Sequence, residues 1–284
     1  MNLLLDFTLA FPFVWLGSVA LLGAIVGSFL NVVIYRLPVM LETRWQREAW
    51  LQLAQPLPAQ MPRFNLLLPH SCCPHCQQPI AARDNIPLLS FLWLKGRARC
   101  CGGRISWRYP LVEVATALLF TLAAVVLPLG MPLLGAWIFL SLLLALAVID
   151  HHTQLLPDVL TLPLLWIGLL FNLQGYFVEL EAATIGAMAG YLCLWSLFWL
   201  FKLATGKDGL GYGDFKLLAA LGAWLGWQAL PQVILLAASC GLLFTLVQRA
   251  VTRKDYHQPL AFGPWLALAG AANMLMSLNV NALW

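Results

Sequence analysis

The chain has 284 residues, is 61% hydrophobic and only 10% charged. A water-soluble fold cannot hide that much apolar surface, and long apolar stretches at this composition define a polytopic membrane protein. The formal net charge of +4 belongs with topology and contact to membrane lipid headgroups, so no nucleic-acid partner is expected.

Taken in chain order, charge-free runs mark the spans. Phe7–Tyr35 carries no charge. The first basic residue follows this run, the reverse of signal-peptide order, so the run is expected to stay as a span. Within it Gly23, Gly27 and Asn31 recur every four residues. They share one helix face, of the small-residue kind along which membrane helices pack. Residues 36–109 are Pro-rich and hold ten of the 16 basic residues. There Glu42–Gln55 reads as a short amphipathic helix, either lying on headgroups or behaving as an ordinary soluble helix. Val114–Ile149 is charge-free over 36 residues, too long for one crossing, and Pro128-Leu-Gly-Met-Pro132 divides it. Val159–Val178 and Ala182–Phe201 are 20 residues each, about one bilayer at roughly 1.5 Å per residue. Leu217–Gln248 is again double length, broken near Gly226-Trp-Gln-Ala-Leu-Pro231, and Tyr256–Trp284 holds the last span. The expected architecture is an all-α membrane protein, a polytopic bundle of about eight transmembrane helices with a cytosolic insertion after the first. Residues 1–35 are the first span, 36–109 a cytosolic Cys-containing segment and 110–284 the remaining bundle.

Charge placement orients the chain. All 16 Lys and Arg fall in three places: ten between Arg36 and Arg108, then Lys202, Lys207 and Lys216, then Arg249, Arg253 and Lys254. With this number of spans the three groups share one side, and the other side shows only Asp6, Glu179 and Glu181. The positive-inside rule makes the basic side cytoplasmic.

Two aspartates lie at span ends. Asp150 closes the run Leu133–Ile149, and Asp214 opens a later one as Gly211-Tyr212-Gly213-Asp214. The topology brings both to the same membrane face, and ionisable groups at membrane depth mark function by default. Two facing carboxyls can hydrolyse a peptide without a metal or a covalent nucleophile: one activates water, the other protonates, and the pair shares a proton. Gly211 and Gly213 relax the backbone and let a substrate strand approach. The alternatives are a helix N-cap at Asp214 and a plain interfacial acid at Asp150. Asp158 follows Pro157 as a cap or a supporting residue, and Lys216 either meets headgroups or tunes the pair. His151 and His152 read as solvated interfacial residues.

Five of the seven cysteines lie in the cytosolic segment, where disulfides are disfavoured. Cys73-x-x-Cys76 is one half of a zinc knuckle. The other half is irregular, because Cys100 and Cys101 are adjacent. Both complete the site, or one does with Cys72, His70 or His75. Cys193 and Cys240 lie in spans and read as packing residues.

Several stretches carry a resemblance: Gly27-Ser-Phe-Leu-Asn-Val-Val-Ile-Tyr-Arg-Leu-Pro38, Asp84-Asn-Ile-Pro-Leu-Leu-Ser90, Arg108-Tyr-Pro-Leu-Val-Glu113, Ile149-Asp150 through Leu-Pro157-Asp158, Gly211-Tyr-Gly-Asp-Phe-Lys216 and Phe262-Gly-Pro264. In these the chain resembles the type IV prepilin peptidases, bifunctional leader peptidase/N-methyltransferases of pilus and type II secretion systems. The resemblance implies a bacterial inner-membrane enzyme with Asp150 and Asp214 as catalytic aspartates; Gly211, Gly213 and Lys216 are the supporting candidates from the reading above. It implies prepilin or pseudopilin substrates, cut after a glycine and then methylated on the new N-terminus with S-adenosylmethionine. Gly96 and Glu113 are its only candidates for the cofactor site. The family commonly carries two Cys-x-x-Cys pairs; here Ala98 stands where the third cysteine usually falls, and Cys101 matches the fourth, with Cys100 as substitute ligand. Against this stand two rival classes: a transporter or channel carrying protons or cations on the aspartates, and a membrane redox protein using the cysteines.

Overall fold

The computed structural model describes residues 6–8, 10–54, 64–207, 209, 211–252 and 261–281. Gln55, Arg63, Arg253, Lys254 and residues 256–260 and 282–284 of the Tyr256–Trp284 run lie outside them. The chain divides into two compact units, Met1–Thr121 and Leu122–Trp284. Among the described residues secondary structure is helical, apart from the isolated bridges Cys72–Pro79 and Arg97–Arg104.

The first unit is built on α1, Pro12–Gln52. Pro12 occupies its first turn, where a missing N–H costs nothing. The helix does not stop at Pro38, and the separate helix expected over Glu42–Gln55 is instead its continuation. A proline inside a helix removes one donor and strains one turn. Here the following residues, Met40 to Gln52, are mostly strong helix formers, and Arg44 pairs with Glu48 one turn on at 2.8 Å. At 41 residues the helix is roughly twice as long as a bilayer core is thick. Gly23, Gly27 and Asn31 form a contact face, as the spacing predicts. A Cβ on Gly23 would sit 2.7 Å from Ala117 Cα, and one on Gly27 2.8 Å from Glu113 Cα. Asn31 Nδ2 donates to the Tyr109 carbonyl at 3.0 Å. The partner is the start of α3, Arg108–Val126, running antiparallel. Arg36 is buried, and its guanidinium donates to the Asn65 and Pro69 carbonyls at 2.9 and 2.6 Å. Between α1 and α3 lie a 3₁₀ turn at Ala82–Asn85 and the short helix α2, Leu89–Trp93.

The second unit contains α4 (Met131–Thr153), α5 (Asp158–Asn172), α6 (Leu180–Thr205), α7 (Tyr212–Leu225), α8 (Leu230–Thr252) and α9 (Gly263–Asn281). The breaks fall where the sequence places them, at Leu127–Gly130 and at Gly226–Ala229. Among the described residues five helices are long and apolar enough to cross a membrane by length and composition: α1, α3, α4, α6 and α8. Helices α5 and α7 are shorter, at 15 and 14 residues.

Helix α7 is the core. It is buried at nearly every position from Asp214 to Leu225 and packs against α5, α6, α8 and α9. Its contact with α6 is backbone on backbone. Gly186 and Gly222 face each other so closely that a Cβ on either overlaps the other's carbonyl, and one on Gly190 would lie 2.6 Å from the Leu218 carbonyl oxygen. Trp224 anchors one end of the bundle. It is wholly buried against Phe139, Phe171 and Phe177, and its Nε1 donates to the Leu164 carbonyl at 2.7 Å. Asn172 closes that end by donating to the Ala223 carbonyl at 2.8 Å and accepting the Phe177 and Val178 N–H groups at 3.1 Å. The opposite end gathers the C-terminus of α4 and the N-termini of α5, α7 and α9.

Candidate active site

Asp150 lies in the last turn of α4, which ends when Gln154 enters the left-handed region (φ 54) and donates its N–H to the Asp150 carbonyl. Asp214 is the third residue of α7. Both side chains are buried, at 5% and 7% exposure. Their carboxyls lie within coulombic reach of one another. The fold thus brings together two residues 64 positions apart.

Each carboxyl is oriented by a glycine. The Gly263 N–H, at the start of α9, bonds the Asp150 carboxylate. The Gly211 N–H bonds the Asp214 carboxylate, while the Asp214 N–H returns to the Gly211 carbonyl at 3.2 Å. This reciprocal pair is the acidic half of a capping box. Gly211 is the N-cap, so Asp214 serves the helix start from inside the first turn and not as the cap. Each carboxyl keeps one buried oxygen without a hydrogen-bond partner in the protein: Oδ2 of Asp150 and Oδ1 of Asp214. Buried carboxylate oxygens are normally satisfied, and these two are free to meet water or a substrate carbonyl.

Two of the neighbouring glycines, Gly263 and Gly213, leave no room for a side chain. A Cβ on Gly263 would lie 2.5 Å from Asp150 Oδ2, and one on Gly213 would lie 2.6 Å from Leu156 Cβ. Gly211 stands by the Asp214 carboxyl, with its own Cβ position 3.5 Å from Oδ2. Gly263 was visible in the sequence only within the stretch Phe262-Gly-Pro264; a Gly-Pro step before an apolar run is a helix-start signal. Lys216 faces away from Asp214, since residues two apart lie on different sides of a helix. It pairs with Asp158 at 2.6 and 2.8 Å. Asp158 is itself the first residue of α5, and its cap is Pro157.

The cysteines of the first unit form a second cluster. The donor atoms of Cys73, Cys76, Cys100 and Cys101 all lie within 4.8 Å of one another. Cys73 Sγ is 3.6 Å from Cys101 Sγ, and Cys76 Sγ is 3.2 Å from Cys100 Sγ. Two tight turns present them, fixed by Cys73 N–H to the Gln78 carbonyl and by Ala98 N–H to the Gly103 carbonyl. The adjacent pair Cys100–Cys101 thus supplies both donors of the second half. Two of the alternatives are engaged elsewhere: the Cys72 thiol meets Gln77 Oε1 at 3.5 Å, and His75 Nε2 meets the Arg104 carbonyl at 3.3 Å. Backbone hydrogen bonds from Cys76 and His75 lower the Cys73 thiol to about 6. The neighbouring Cys76 side chain, followed by burial, pushes Cys100 up to about 12. Four crowded sulfurs cannot all carry charge unless a cation offsets it, and the set fits the tetrahedral thiolate coordination of zinc.

Gly96 and Glu113 are both occupied structurally. Gly96 has φ +70 and lies against Phe91; its N–H goes to the Phe91 carbonyl, and its carbonyl accepts from Ile105. Glu113 accepts the Leu88 N–H at 2.8 Å and bonds Ser28.

Fold and site together define an all-α polytopic membrane protein with a two-carboxyl centre at one end of its bundle. Residues 21–127 match the Bacterial Peptidase A24 N-terminal domain, and residues 137–246 match the Type IV leader peptidase family. The chain is 56% identical over 281 residues to a prepilin leader peptidase/N-methyltransferase of Dickeya chrysanthemi, covering 99% of both chains. It is 59% identical over 277 residues to the protein of that name in Pectobacterium carotovorum subsp. carotovorum, covering 98% of this chain and 99% of the relative. It is 55% identical over 285 residues to that of Aeromonas salmonicida, covering 99% and 97%. No solved structure matches the chain. The chain belongs to the prepilin leader peptidase/N-methyltransferase family.

Proposed function

We propose that Asp150 and Asp214 are the catalytic pair of an inner-membrane enzyme that removes the leader of prepilins or pseudopilins after a glycine and then N-methylates the new terminus. One observation carries the peptidase reading: two buried carboxyls at one end of the bundle, each held by a glycine N–H and each with one unpartnered oxygen. In this mechanism the pair holds one proton. The ionised member takes a proton from water, and the protonated member donates to the scissile carbonyl; the proton then passes to the leaving amine. The two share a titration, so neither role belongs to one residue alone. The basic loops mark the cytoplasmic side, and a prepilin, an apolar helix with a basic leader, would present its scissile bond at the depth of the pair.

S-adenosylmethionine supplies the methyl group in the second reaction. Cys73, Cys76, Cys100 and Cys101 would hold a structural zinc ion that fixes the two turns of the first unit. Pilus or type II secretion machinery is the partner this activity serves. The test is incubation of the purified protein with a prepilin, followed by mass measurement of the product. Loss of the leader mass, plus 14 Da only when S-adenosylmethionine is added, is the expected result, an increment that follows from replacing one N–H by N–CH₃ (about one methylene). An uncut prepilin would refute the reading.

A further inference from the structure

The loop joining α4 to α5 sets one apolar side chain against the carboxyl pair. Leu156 lies along Gly213: a Cβ on that glycine would be 2.6 Å from Leu156 Cβ, 3.2 Å from Cδ1 and 3.4 Å from Cγ. The same Cδ1 is 3.2 Å from the Cβ position of Gly263, and Asp150 Oδ2 is 2.5 Å from that point. The Leu156 methyl and the Asp150 carboxylate oxygen are therefore neighbours, and Leu156 is wedged between the N-termini of α7 and α9. Its position is fixed on both sides. Gln154 turns the chain out of α4 in the left-handed region, and Pro157, with φ −65, caps the start of α5. The next residue, Asp158, is tied to Lys216 of α7. Leu156 is half-buried, has no polar side-chain atom, and takes no part in the proton chemistry.

We propose that Leu156 determines specificity: it fills the space beside the carboxyl pair and excludes a side chain from the substrate residue just before the scissile bond, leaving room for glycine alone. The inference rests on the peptidase reading above and gives it a steric cause. A substrate strand that reaches both carboxyls has to pass the two glycines where backbone can come close, and Leu156 already covers both. A Cβ on Gly213 would overlap Leu156, and one on Gly263 would overlap Asp150 Oδ2 and crowd Leu156 Cδ1; a substrate residue packed on the exposed side of Leu156 meets the same wall. The wall is a branched side chain and not backbone, so shortening it opens the space. Discrimination of one methyl group by an apolar wall is typically about 10–200-fold.

The experiment uses the purified full chain in detergent and two prepilins that differ only in carrying Gly or Ala before the scissile bond, with kcat/KM measured for each. Wild type should cut the Gly substrate and discriminate strongly against Ala. Leu156→Ala should raise the Ala-to-Gly ratio by about 10-fold or more, and Leu156→Val by a smaller factor in the same direction. Ratios unchanged from wild type in both variants would overturn the proposal. Should Leu156→Ala lose the Gly substrate as well, the ratio in Leu156→Val decides. A wild-type enzyme that cuts neither substrate would remove the peptidase reading itself, an outcome distinct from a fixed ratio.

Discussion

At the scale of single residues, two carboxyls and the glycines beside them set the chemistry. The carboxyls were legible because an acid at a span end is costly and rarely accidental. The glycine that supports Asp150 was not, since nothing local links Gly263 to a residue more than a hundred positions earlier. Gly263→Ala would put a methyl group 2.5 Å from Asp150 Oδ2. Cleavage by that variant should fall by about 10-fold or more, because about an ångström of misplacement at a reacting group costs on the order of 10²-fold. Methylation of an already cleaved pilin should be unaffected; a variant that cleaves at the wild-type rate would show that the close approach is unimportant. In the first unit, Arg99 grips Asp84 through three hydrogen bonds of 2.8 to 3.1 Å and holds its carboxyl below the usual range. A lowered carboxyl stabilises above its ordinary value near 3.9 and loses that support as pH falls through the lowered one. Arg99 directly precedes Cys100, so Asp84→Asn should speed metal loss to a chelator at neutral pH. Equal rates in variant and wild type would leave the pair without a part in holding the turn.

At the scale of elements, helix breaks and helix faces were legible to different degrees. The breaks at Pro128–Pro132 and Gly226–Pro231 follow from residues that cannot continue a helix or that enter it easily. The Gly23/Gly27/Asn31 face was readable as a four-residue period. Gly186 and Gly190 show the same period on α6, and that signal would have located the tightest helix contact in the second unit. Pro38 misled, because good helix formers on its far side carry α1 through it. Replacing Gly222 or Gly186 with Val should cost about 1–3 kcal/mol by overpacking, read as a lower unfolding midpoint in detergent. A midpoint equal to wild type would mean that α6 and α7 separate without loss. The Asp158–Lys216 pair joins α5 to α7 beside the site. Lys216→Met should lower cleavage several-fold, and the swapped pair Asp158→Lys with Lys216→Asp should recover part of it. If the swap is no better than the single change, the pair acts through something other than its charge.

At the scale of the whole molecule, the fold class followed from composition, and the family from motifs spread along nearly the entire chain. What the sequence left open was the thiol set. Adjacent cysteines break the expected spacing, and only the turn from Arg97 to Arg104 explains how both reach the cluster. The purified protein should carry close to one zinc per chain by elemental analysis, and Cys76→Ser should lose most of it; a metal-free wild type would assign the thiols another purpose. The two chemistries should separate, with cleavage depending on the aspartates and methylation not. The most direct test is therefore to give Asp150→Asn and Asp214→Asn, each inserted and folded, both an intact prepilin and a pre-cleaved pilin with S-adenosylmethionine, and to weigh the products. The account predicts loss of cleavage by about 10²-fold or more in each variant, with methylation of the pre-cleaved substrate retained. Normal leader removal by either variant would contradict it.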